Sequence, residues 1–499
     1  MFMPPTATRA LLLDLNNFAR FPTLPVGIIA ASLRRSGIEV QVLSPLAVGM
    51  NGIPRPGRAR PWGYWSERLA WWSATTANSA VRKARRRIRR FSAEGGAGAG
   101  TSSLIASFEL ALKESPDVVL ISSYLMYHDL VGELVESARL AGCPVLLGGP
   151  AFHEHETRAA WLKSPGVSAI YAGECDTNVS EMVLELAAGK GMTPRAGLTV
   201  AGGADGGIAP PLHDLEASPF PDYADFPWDS YPNRIVSMLT ARGCGWGRCT
   251  FCSDVVTING RGFRSRSSSH VLEELRHHYD QHQVRLFCFS DLKLNSDLTV
   301  WRALHTSMRE VVPGAKWTCA IHVGSRPDEG LSLQDLKAAR AAGLVRITTG
   351  LESGSPDLLD SMKKGTRPER VREFLSNAKE AGITTRLTLF TGYPGEDASH
   401  LAETASFLED CQNLVDRVHL SRLSIRMATP LLASLKKEDP ADHGFSVAYI
   451  DPVSDEIAHT NNATQARSYR KGIARLLRVT HRINRRPLAD FAAELEGAM

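Results

Sequence analysis

Three closely spaced cysteines are the feature of this sequence that most clearly carries chemistry. Cys244, Cys249 and Cys252 lie in the segment Thr240-Ala-Arg-Gly-Cys-Gly-Trp-Gly-Arg-Cys-Thr-Phe-Cys. Three thiolates can hold three irons of a four-iron cluster and leave the fourth iron open to a small molecule. A structural zinc site needs four closed ligands, and the nearest candidate fourth ligand, His270, lies well downstream past a polar loop. We therefore predict an iron–sulfur cluster, with zinc as the alternative.

The composition of the chain sets the background for that chemistry. Its 499 residues are 43% hydrophobic and carry a formal net charge of +4, so we expect a soluble globular protein without a strong general affinity for nucleic acid. No apolar run is long enough to span a membrane, and no secretory signal is apparent, which predicts a cytoplasmic protein with no membrane partner. The other cysteines read as isolated buried thiols: Cys143, Cys175, Cys288, Cys319 and Cys411.

The first 200 residues alternate short apolar runs with amphipathic helical segments, which predicts a parallel, Rossmann-like α/β domain. An insert at about residues 50–105 interrupts it with a tryptophan-rich piece, a basic run from Arg82 to Arg90 and a Gly/Ala/Ser stretch. For the basic run, a solvated helix is favoured over a nucleic-acid interface. The predicted strands are Ala10–Leu13, Glu39–Leu43, Val118–Ser122, Val145–Leu147 and Ala169–Tyr171, with a helix over Val26–Arg35.

A Gly/Pro-rich linker at residues 201–232 separates this domain from a second run of strands and helices. Residues 233–430 are predicted to form a partial or full β/α barrel, and residues 431–499 a small, mostly helical region. The cysteines follow the first barrel strand, at the strand end where active sites of β/α barrels are built. The predicted strands are Ile235–Leu239, Leu286–Phe289, Trp317–Ile321, Arg346–Gly350, Thr385–Phe390 and Val418–Leu423.

This cysteine pattern resembles that of the radical S-adenosylmethionine (SAM) superfamily. Its hallmark is three cysteines on the loop after the first barrel strand, usually separated by three and then two residues, with an aromatic residue before the last. Phe251 matches the aromatic position and by resemblance would pack on the adenine of SAM. The first gap here holds four residues instead of three, a departure that occurs in subfamilies.

Further tracts match the same superfamily in order and spacing. Gly350-Leu-Glu-Ser-Gly-Ser-Pro resembles the segment whose glutamate contacts the ribose or amino group of SAM, and Thr391-Gly-Tyr-Pro-Gly-Glu resembles the turn near its methionine. Arg386 is a candidate partner for the SAM carboxylate, with a strand salt bridge as the alternative. The SAM-binding residues implied by the resemblance are Phe251, Ser290, Asp291, Glu352, Ser353, Arg386, Gly392 and Gly395.

The first domain resembles the cobalamin-binding domain fused ahead of the radical SAM barrel in a large subfamily. Small residues at the strand ends would let a large flat ligand approach the backbone. The Asp-x-His-x-x-Gly signature of other cobalamin proteins is absent, as is common in enzymes of this fused type, and the lower axial ligand of cobalt is not assigned. The implied cobalamin contacts are Pro25, Ser122, Ser123, Gly148, Gly149, Pro150, Gly173 and Glu174.

Together these resemblances imply a cobalamin-dependent radical SAM methyltransferase. It would methylate an unactivated carbon, or phosphorus, of a small molecule or peptide, using electrons from a flavodoxin- or ferredoxin-type reductant. A non-methylating cobalamin-dependent enzyme, performing ring formation, ring contraction or oxidation, would have the same two domains. A tRNA methylthiotransferase-like enzyme is the second alternative, although the additional N-terminal cysteines and C-terminal RNA module usual in that class are not visible. A non-catalytic redox or cobalamin sensor is a third.

Overall fold

The architecture is α/β throughout, with two six-stranded sheets that follow one another along the chain. The computed structural model describes residues 7–15, 21–48, 63–76, 80, 81, 84, 101–254, 262–326, 328–437, 444–451, 453 and 456–498. The basic run from Arg82 to Arg90, apart from position 84, and much of the predicted insert at 50–105 lie outside the described residues.

The first sheet has the strand order β2-β1-β3-β4-β5-β6 and is parallel except for the antiparallel edge strand β6. Successive residues of β1 enter different cores: Leu11 and Leu13 pack on one side of the sheet and Leu12 on the other. A strand covered on both faces needs apolar residues at every position, which explains its continuous apolar run. The strands are β1 (Arg9–Asp14), β2 (Glu39–Leu43), β3 (Val118–Ser122), β4 (Val145–Gly148), β5 (Val167–Tyr171) and β6 (Leu198–Val200).

Helices cover both faces of this sheet. The first, α1, begins with Pro25 in its first turn, where a missing backbone N–H costs nothing. The helices on the sheet are α1 (Leu24–Arg35), α3 (residues 101–112), α4 (His128–Leu140), α5 (His155–Trp161) and α6 (Val179–Ala188), whereas α2 (Tyr64–Thr75) packs on the C-terminal helix at Arg467–Asn484.

The second sheet is entirely parallel, in the order β14-β13-β12-β11-β10-β7. Its strands neighbour each other in chain order, as in a β/α barrel, and the sheet is open between β7 and β14, so it is the partial form of the predicted barrel. The strands are β7 (Ile235–Met238), β10 (Leu286–Phe289), β11 (Lys316–Ile321), β12 (Leu344–Glu352), β13 (Thr384–Thr391) and β14 (Arg417–Arg422), and a short hairpin of β8 (Ala241–Arg242) and β9 (Arg264–Ser265) follows β7.

Helices connect the strands of the second sheet. Asp297 caps α8 by accepting hydrogen bonds from the N–H groups of Thr299 and Val300, at 2.9 and 3.3 Å. The helices are α7 (Ser268–His282), α8 (Leu298–Val311), α9 (Leu333–Ala341), α10 (Pro356–Ser361), α11 (Pro368–Glu380) and α12 (Ala398–Asp410).

The C-terminal region holds α13 (Pro430–Leu435), the antiparallel hairpin of β15 (Phe445–Asp451) and β16 (Glu456–Asn461), and α14 (Arg467–Asn484). The hairpin was not predicted. Residues 490–498 then pack against the amino end of the second sheet, where Ala492 and Leu495 share a core with Ile235 and Val345.

The segment between the two sheets is irregular but well packed. Tyr223 and Phe226 are buried in the main core, and Arg34 of α1 forms ion pairs with Asp222, at 2.6 Å, and with Asp225. The residues of the predicted linker therefore fix the first sheet against the second, while the predicted domain boundaries stay predictions. No helix in the described part of the chain is long and apolar enough to cross a membrane.

Candidate functional site

The cysteine loop leaves the carboxyl end of β7 and is held there by Asp291, which follows the neighbouring strand β10. The Asp291 carboxylate accepts hydrogen bonds from the Thr240 N–H (3.0 Å), the Thr240 hydroxyl (2.7 Å) and the Ala241 N–H (2.8 Å). Burial raises the pKa of Asp291 to about 6. These contacts make Asp291 a support of the loop, and its contact with SAM stays a prediction.

Ser290, the other residue predicted from this strand end, bonds to the hydroxyl of Ser237 on β7 at 2.7 Å. This contact ties the ends of the first two strands of the sheet together. Both residues predicted from the end of β10 therefore lie at the base of the cysteine loop.

The three thiols lie on this loop at different depths. Cys249 is 9% exposed, while Cys244 and Cys252 are partly exposed, and burial raises the pKa of the Cys249 thiol. Among the described residues, no group of three or more Cys, His, Asp or Glu side chains is gathered so as to hold one metal ion. Three thiolates match a four-iron cluster with one open iron, whereas a structural zinc site needs four protein ligands.

Trp246 anchors the middle of the loop to a segment that follows α10. Its indole Nε1–H donates to the carbonyl of Lys363 at 2.9 Å, and its ring stacks on His322 with 5.8 Å between centroids. Gly365 has a left-handed backbone with φ of +67°, and a Cβ there would lie 2.1 Å from the Trp246 ring. Only glycine therefore lets this segment approach the indole so closely.

Glu352 ends β12 in a strained conformation beside the thiols. Its φ is +64°, which is rare for a residue other than glycine, and the register with β13 shifts between Gly350 and Glu352. Lys364 Nζ donates to Glu352 Oε1 at 2.8 Å and lies 5.9 Å from the centre of the Phe251 ring. Such strain persists where surrounding contacts enforce it, and it concentrates at functional sites.

Ser353, next in the same tract, faces inward. Its hydroxyl bonds to that of Thr404 on α12 at 3.1 Å and accepts from the Ser355 N–H, also at 3.1 Å. Ser353 thus fixes the turn after β12, and its predicted contact with SAM stays a prediction.

The turn after β13 is clamped by Glu396. Gly392 and Gly395 both have positive φ, +90° and +83°. One carboxylate oxygen of Glu396 accepts hydrogen bonds from the Gly392 N–H and the Tyr469 hydroxyl, both at 2.5 Å, and burial raises the pKa of Glu396 to about 7. On the other side, Asn461 donates to the Gly392 carbonyl at 3.2 Å. Tyr469 and Asn461, which hold this turn from its two sides, both belong to the C-terminal region.

The structure does not bring Arg386 to this edge of the sheet. It is the third residue of β13, and its charge acts mainly with Glu496 and Arg346 near the amino end of the strands. Arg346 bonds to Glu496 at 2.5 Å, and Arg417 lies 3.8 Å from the same carboxylate. The alternative of a strand ion-pair residue fits these surroundings, so we do not carry Arg386 into the functional proposal.

At the first sheet, four of the eight residues predicted to contact cobalamin line a common cavity. Ser122, Gly148, Gly149 and Gly173 line one small cavity at the carboxyl edge, with a volume of about 40 Å³. Its wall is apolar, so it can accept the edge of an apolar ring but not a whole cofactor. The remaining lining residues include Ile29, Leu120, Tyr171, Cys175, Val179 and Met182.

Two of these glycines are required by the protein's own packing. Gly149 has φ of +107°, and a Cβ there would lie 2.6 Å from the carbonyl oxygen of Ser123. A Cβ on Gly173 would lie 2.4 Å from that of Ala209. The absence of side chains at these positions therefore has a structural cause as well as a predicted functional one.

Glu174 is directed away from the first sheet and towards the second. Its carboxylate accepts two hydrogen bonds from Arg264 (2.7 and 2.9 Å) and one from the Leu212 N–H (2.5 Å), and Arg242 lies 3.4 Å away. Arg242 also pairs with Asp176 at 2.5 Å. Arg242 and Arg264 belong to the β8/β9 hairpin that carries the cysteine loop, so Glu174 couples the two sheets, and its contact with cobalamin stays a prediction.

Pro25 and Pro150 follow the carboxyl ends of β1 and β4, which β3 separates in the sheet. Pro25 is exposed in the first turn of α1, and Pro150 begins a short 3₁₀ turn after β4. Neither lines the cavity.

Sequence patterns do not indicate three buried side chains around the thiols: Lys293, His322 and Lys364. The His322 Nδ1 atom is buried without a hydrogen-bond partner, and burial lowers the pKa of His322 to about 3. None of them belongs to a recognisable motif, and only the fold brings them to the cysteine loop.

Comparison with known proteins supports this organisation. Residues 238–408 match the Radical SAM superfamily. The chain is 26% identical over 272 residues to an uncharacterised methyltransferase of Pyrococcus horikoshii, covering 53% of this chain and 57% of that protein. It is 23% identical over 326 residues to a bacteriochlorophyllide d C-12(1)-methyltransferase of Chlorobaculum tepidum, covering 64% and 66%.

A third relative has a different activity. The chain is 27% identical over 266 residues to an anaerobic magnesium-protoporphyrin IX monomethyl ester cyclase of Rubrivivax gelatinosus, covering 50% of this chain and 46% of that protein. The chain thus matches between 46% and 66% of the length of these three curated relatives.

Two solved structures share the fold over nearly the whole chain. The cobalamin-dependent radical SAM enzyme OxsB superposes with a TM-score of 0.68 at 16% identity, covering 92% of this chain and 65% of OxsB. The radical SAM methyltransferase TsrM of Kitasatospora setae superposes with a TM-score of 0.65 at 15% identity, covering 97% and 92%. These likenesses confirm the predicted fold class.

Proposed function

We propose that the chain is a cobalamin-dependent radical SAM methyltransferase, since residues 238–408 match the Radical SAM superfamily and the fold is shared with OxsB and TsrM. The observation that carries the proposal is that Lys364, which donates to Glu352, acts electrostatically on both Cys249 and Cys252, while Thr250 between them bonds to the Tyr393 hydroxyl of the turn after β13 at 2.9 Å. The first sheet offers a small apolar cavity at its corresponding edge, with Ser122, Gly148, Gly149 and Gly173 in its wall. Relatives that are methyltransferases support the reaction class.

In this proposal the three thiolates hold a four-iron cluster. When bound, the cofactors would supply an electron, an open iron and a methyl group, so that SAM is cleaved reductively and a substrate carbon, or phosphorus, is methylated. We further propose a small-molecule or peptide substrate of specialised metabolism, an external flavodoxin- or ferredoxin-type reductant and a cytoplasmic location.

The residues of the chain have definite tasks in this scheme. Phe251 packs edge-on against Phe390, with 4.8 Å between ring centroids, and would supply the aromatic contact for the adenine of SAM. Glu352 presents a carboxylate suited to an amino or ribose hydroxyl group. Gly392, clamped on both sides, offers backbone close to a ligand because no side chain intervenes.

Exclusion of water is the other task of the site. The side chains of Asp291, Lys293, His322, Lys364 and Glu396 are each less than a tenth exposed. A radical formed in such surroundings is protected from stray hydrogen donors, and the electrostatic interactions around it are strengthened.

The test is anaerobic purification and reconstitution, followed by counting of iron and cobalt and detection of 5′-deoxyadenosine after reduction with SAM present. We expect about four irons and one cobalt per chain. Zinc at the three cysteines would overturn the proposal, and so would 5′-deoxyadenosine formation that survives replacement of all three by alanine.

A non-methylating activity is the second candidate, favoured by the likeness to the magnesium-protoporphyrin IX monomethyl ester cyclase. The mass of the product separates the two. A gain of one methyl group per turnover supports the methyltransferase, and a product without added carbon supports ring formation, ring contraction or oxidation.

A further inference from the structure

Lys364 is a buried cation placed directly beside the cysteine loop. It is 8% exposed, and its ammonium group interacts electrostatically with both Cys249 and Cys252 while donating to Glu352 at 2.8 Å. The ammonium group also lies over the ring of Phe251, 5.9 Å from its centre, and Phe251 directly precedes Cys252. No other function described above uses this charge.

The backbone around Lys364 is fixed by the cysteine loop itself. The Thr250 N–H donates to the carbonyl of Met362 at 3.0 Å, and the Trp246 indole donates to that of Lys363 at 2.9 Å. His322 Nε2 lies 2.8 Å from the Lys364 carbonyl oxygen. Three successive carbonyls are therefore tied to the loop or to the barrel wall, so the ammonium group is held at a set position relative to the thiols.

A charge fixed near an iron–sulfur cluster acts on its reduction potential. Reduction adds one negative charge to the cluster, and a nearby cation in a poorly screened site stabilises the reduced form relative to the oxidised form. Glu352 opposes this effect, since its carboxylate lies within bonding distance of the same ammonium group.

We propose that Lys364 is a tuning residue that raises the reduction potential of the cluster and so eases electron uptake from the reductant, with Glu352 as its counterweight. This inference rests on the proposed function, because it requires a cluster on Cys244, Cys249 and Cys252. It adds to that function a residue, Lys364, that would control the first electron transfer to the cluster.

The experiment is a potentiometric titration with dithionite of the anaerobically reconstituted protein without SAM, followed by electron paramagnetic resonance of the reduced cluster. Lys364→Met is expected to lower the equilibrium constant for reduction at least tenfold, a shift of about 59 mV to more negative potential for a one-electron couple. Lys364→Arg should keep the potential of the unaltered protein because it keeps the charge.

Lys363→Met is the matched control, since Lys363 is the adjacent lysine but its side chain is exposed. Water screens that charge, so its removal should leave the potential nearly unchanged. Glu352→Gln gives an independent second test and should shift the potential in the positive direction.

The outcomes separate this inference from the function on which it rests. A full iron count together with equal potentials for Lys364→Met and the unaltered protein would overturn the tuning role, and so would a Glu352→Gln potential that is unchanged or more negative. If Lys364→Met cannot assemble a cluster, the Glu352→Gln shift decides. Absence of any iron–sulfur signal from the unaltered protein would instead overturn the proposed function, and the tuning role with it.

Discussion

Both sheets end in loops that the sequence assigned to cofactors, but the two edges are filled differently. The edge of the second sheet surrounds the thiols with buried charged or ionisable side chains, among them Lys293, Glu352 and Lys364. The cavity at the edge of the first sheet is lined by small and apolar residues. The acidic side chain next to it, Glu174, points away towards the second sheet.

This difference follows from the chemistry expected at each place. Electron transfer and cleavage of a charged substrate depend on fixed charges in a site from which water is excluded. A large ring system needs space and close approach of backbone, which small residues provide. The same parallel-sheet topology therefore supports an electrostatic site at one edge and a shape-defined site at the other.

The most severe test of this contrast is the replacement of Cys249, the most buried of the three thiols, by alanine. We expect iron content and 5′-deoxyadenosine formation to fall to background, because a cluster ligand is lost, while cobalt binding at the first sheet persists. Metal analysis of the reconstituted variant checks both. Cys411→Ala, at a buried cysteine far from the loop, is the control and should retain both metals; loss of cobalt along with iron in Cys249→Ala would mean that the two edges are not separate sites.

Replacement of Glu174 by glutamine tests the link between the edges. It leaves Arg264 and Arg242 without their shared carboxylate, and loss of one partner of a buried ion pair costs about 3–5 kcal/mol. Urea unfolding measures the loss. Glu380→Gln breaks an exposed pair with Lys337, at 2.9 Å, and should cost less than about 1 kcal/mol. Equal effects of the two substitutions would show that Glu174 does not couple the sheets.

Glu396, which clamps the turn after β13 in the second sheet, should make the free energy of unfolding depend on pH. Because its pKa is raised to about 7 from an ordinary 4.5, the folded protein holds a proton that the unfolded chain releases. Stability contributed by this group is therefore present below pH 4.5 and is lost as the pH rises towards 7, by about 3 kcal/mol in all.

Glu396→Gln mimics the protonated side chain and should flatten this part of the stability profile. Chemical unfolding at pH 5, 6 and 7 compares the two proteins. A profile with the same slope in the glutamine variant would rule out Glu396 as the source of the dependence.

The smallest expected effect concerns the close packing of Gly149 at the carboxyl edge of the first sheet. Gly149→Ala forces a Cβ to within 2.6 Å of the Ser123 carbonyl, in addition to the cost of a positive φ. Gly142→Ala also has a positive φ, +72°, but its Cβ would meet nothing within 4 Å. A positive φ costs about 1–3 kcal/mol at Gly142. Gly149, with ψ of −179°, lies in a region open essentially to glycine alone, so the thermal unfolding difference reports the close contact and this backbone conformation together. A Gly142→Ala variant at least as unstable as Gly149→Ala would contradict this explanation.

Much of the fold could be predicted because the signals are local. Val118–Ser122 and Leu286–Phe289 are mainly apolar runs and Glu39–Leu43 alternates polar with apolar residues, and the structure confirms each with the predicted ends. The hairpin of β15 and β16 escaped prediction because its residues alternate weakly and several are exposed, for example Tyr449. Phe445 and Ile457 of the hairpin join a small core with Leu431 and Leu432, but so few fully buried positions leave little pattern in the sequence.

The site was predictable only where the chain itself clusters the residues. The spacing of the three cysteines is recognisable in the sequence. Lys364, in contrast, is brought to the thiols only by the turn after α10. Arg386 shows the opposite error: its position on a strand was correct, but its height along the strand places it with Glu496. Depth within a barrel depends on strand register, which spacing alone does not reveal.

The contact of residues 490–498 with the amino end of the second sheet affects how substrate and products enter and leave the barrel. Cys288 donates to the Ala498 carbonyl at 3.4 Å, and Leu495 is buried beneath the strands. Passage along the barrel axis is thereby obstructed on that side. Substrate, 5′-deoxyadenosine and product would all have to pass through the opposite end of the barrel, so release of one molecule can limit binding of the next.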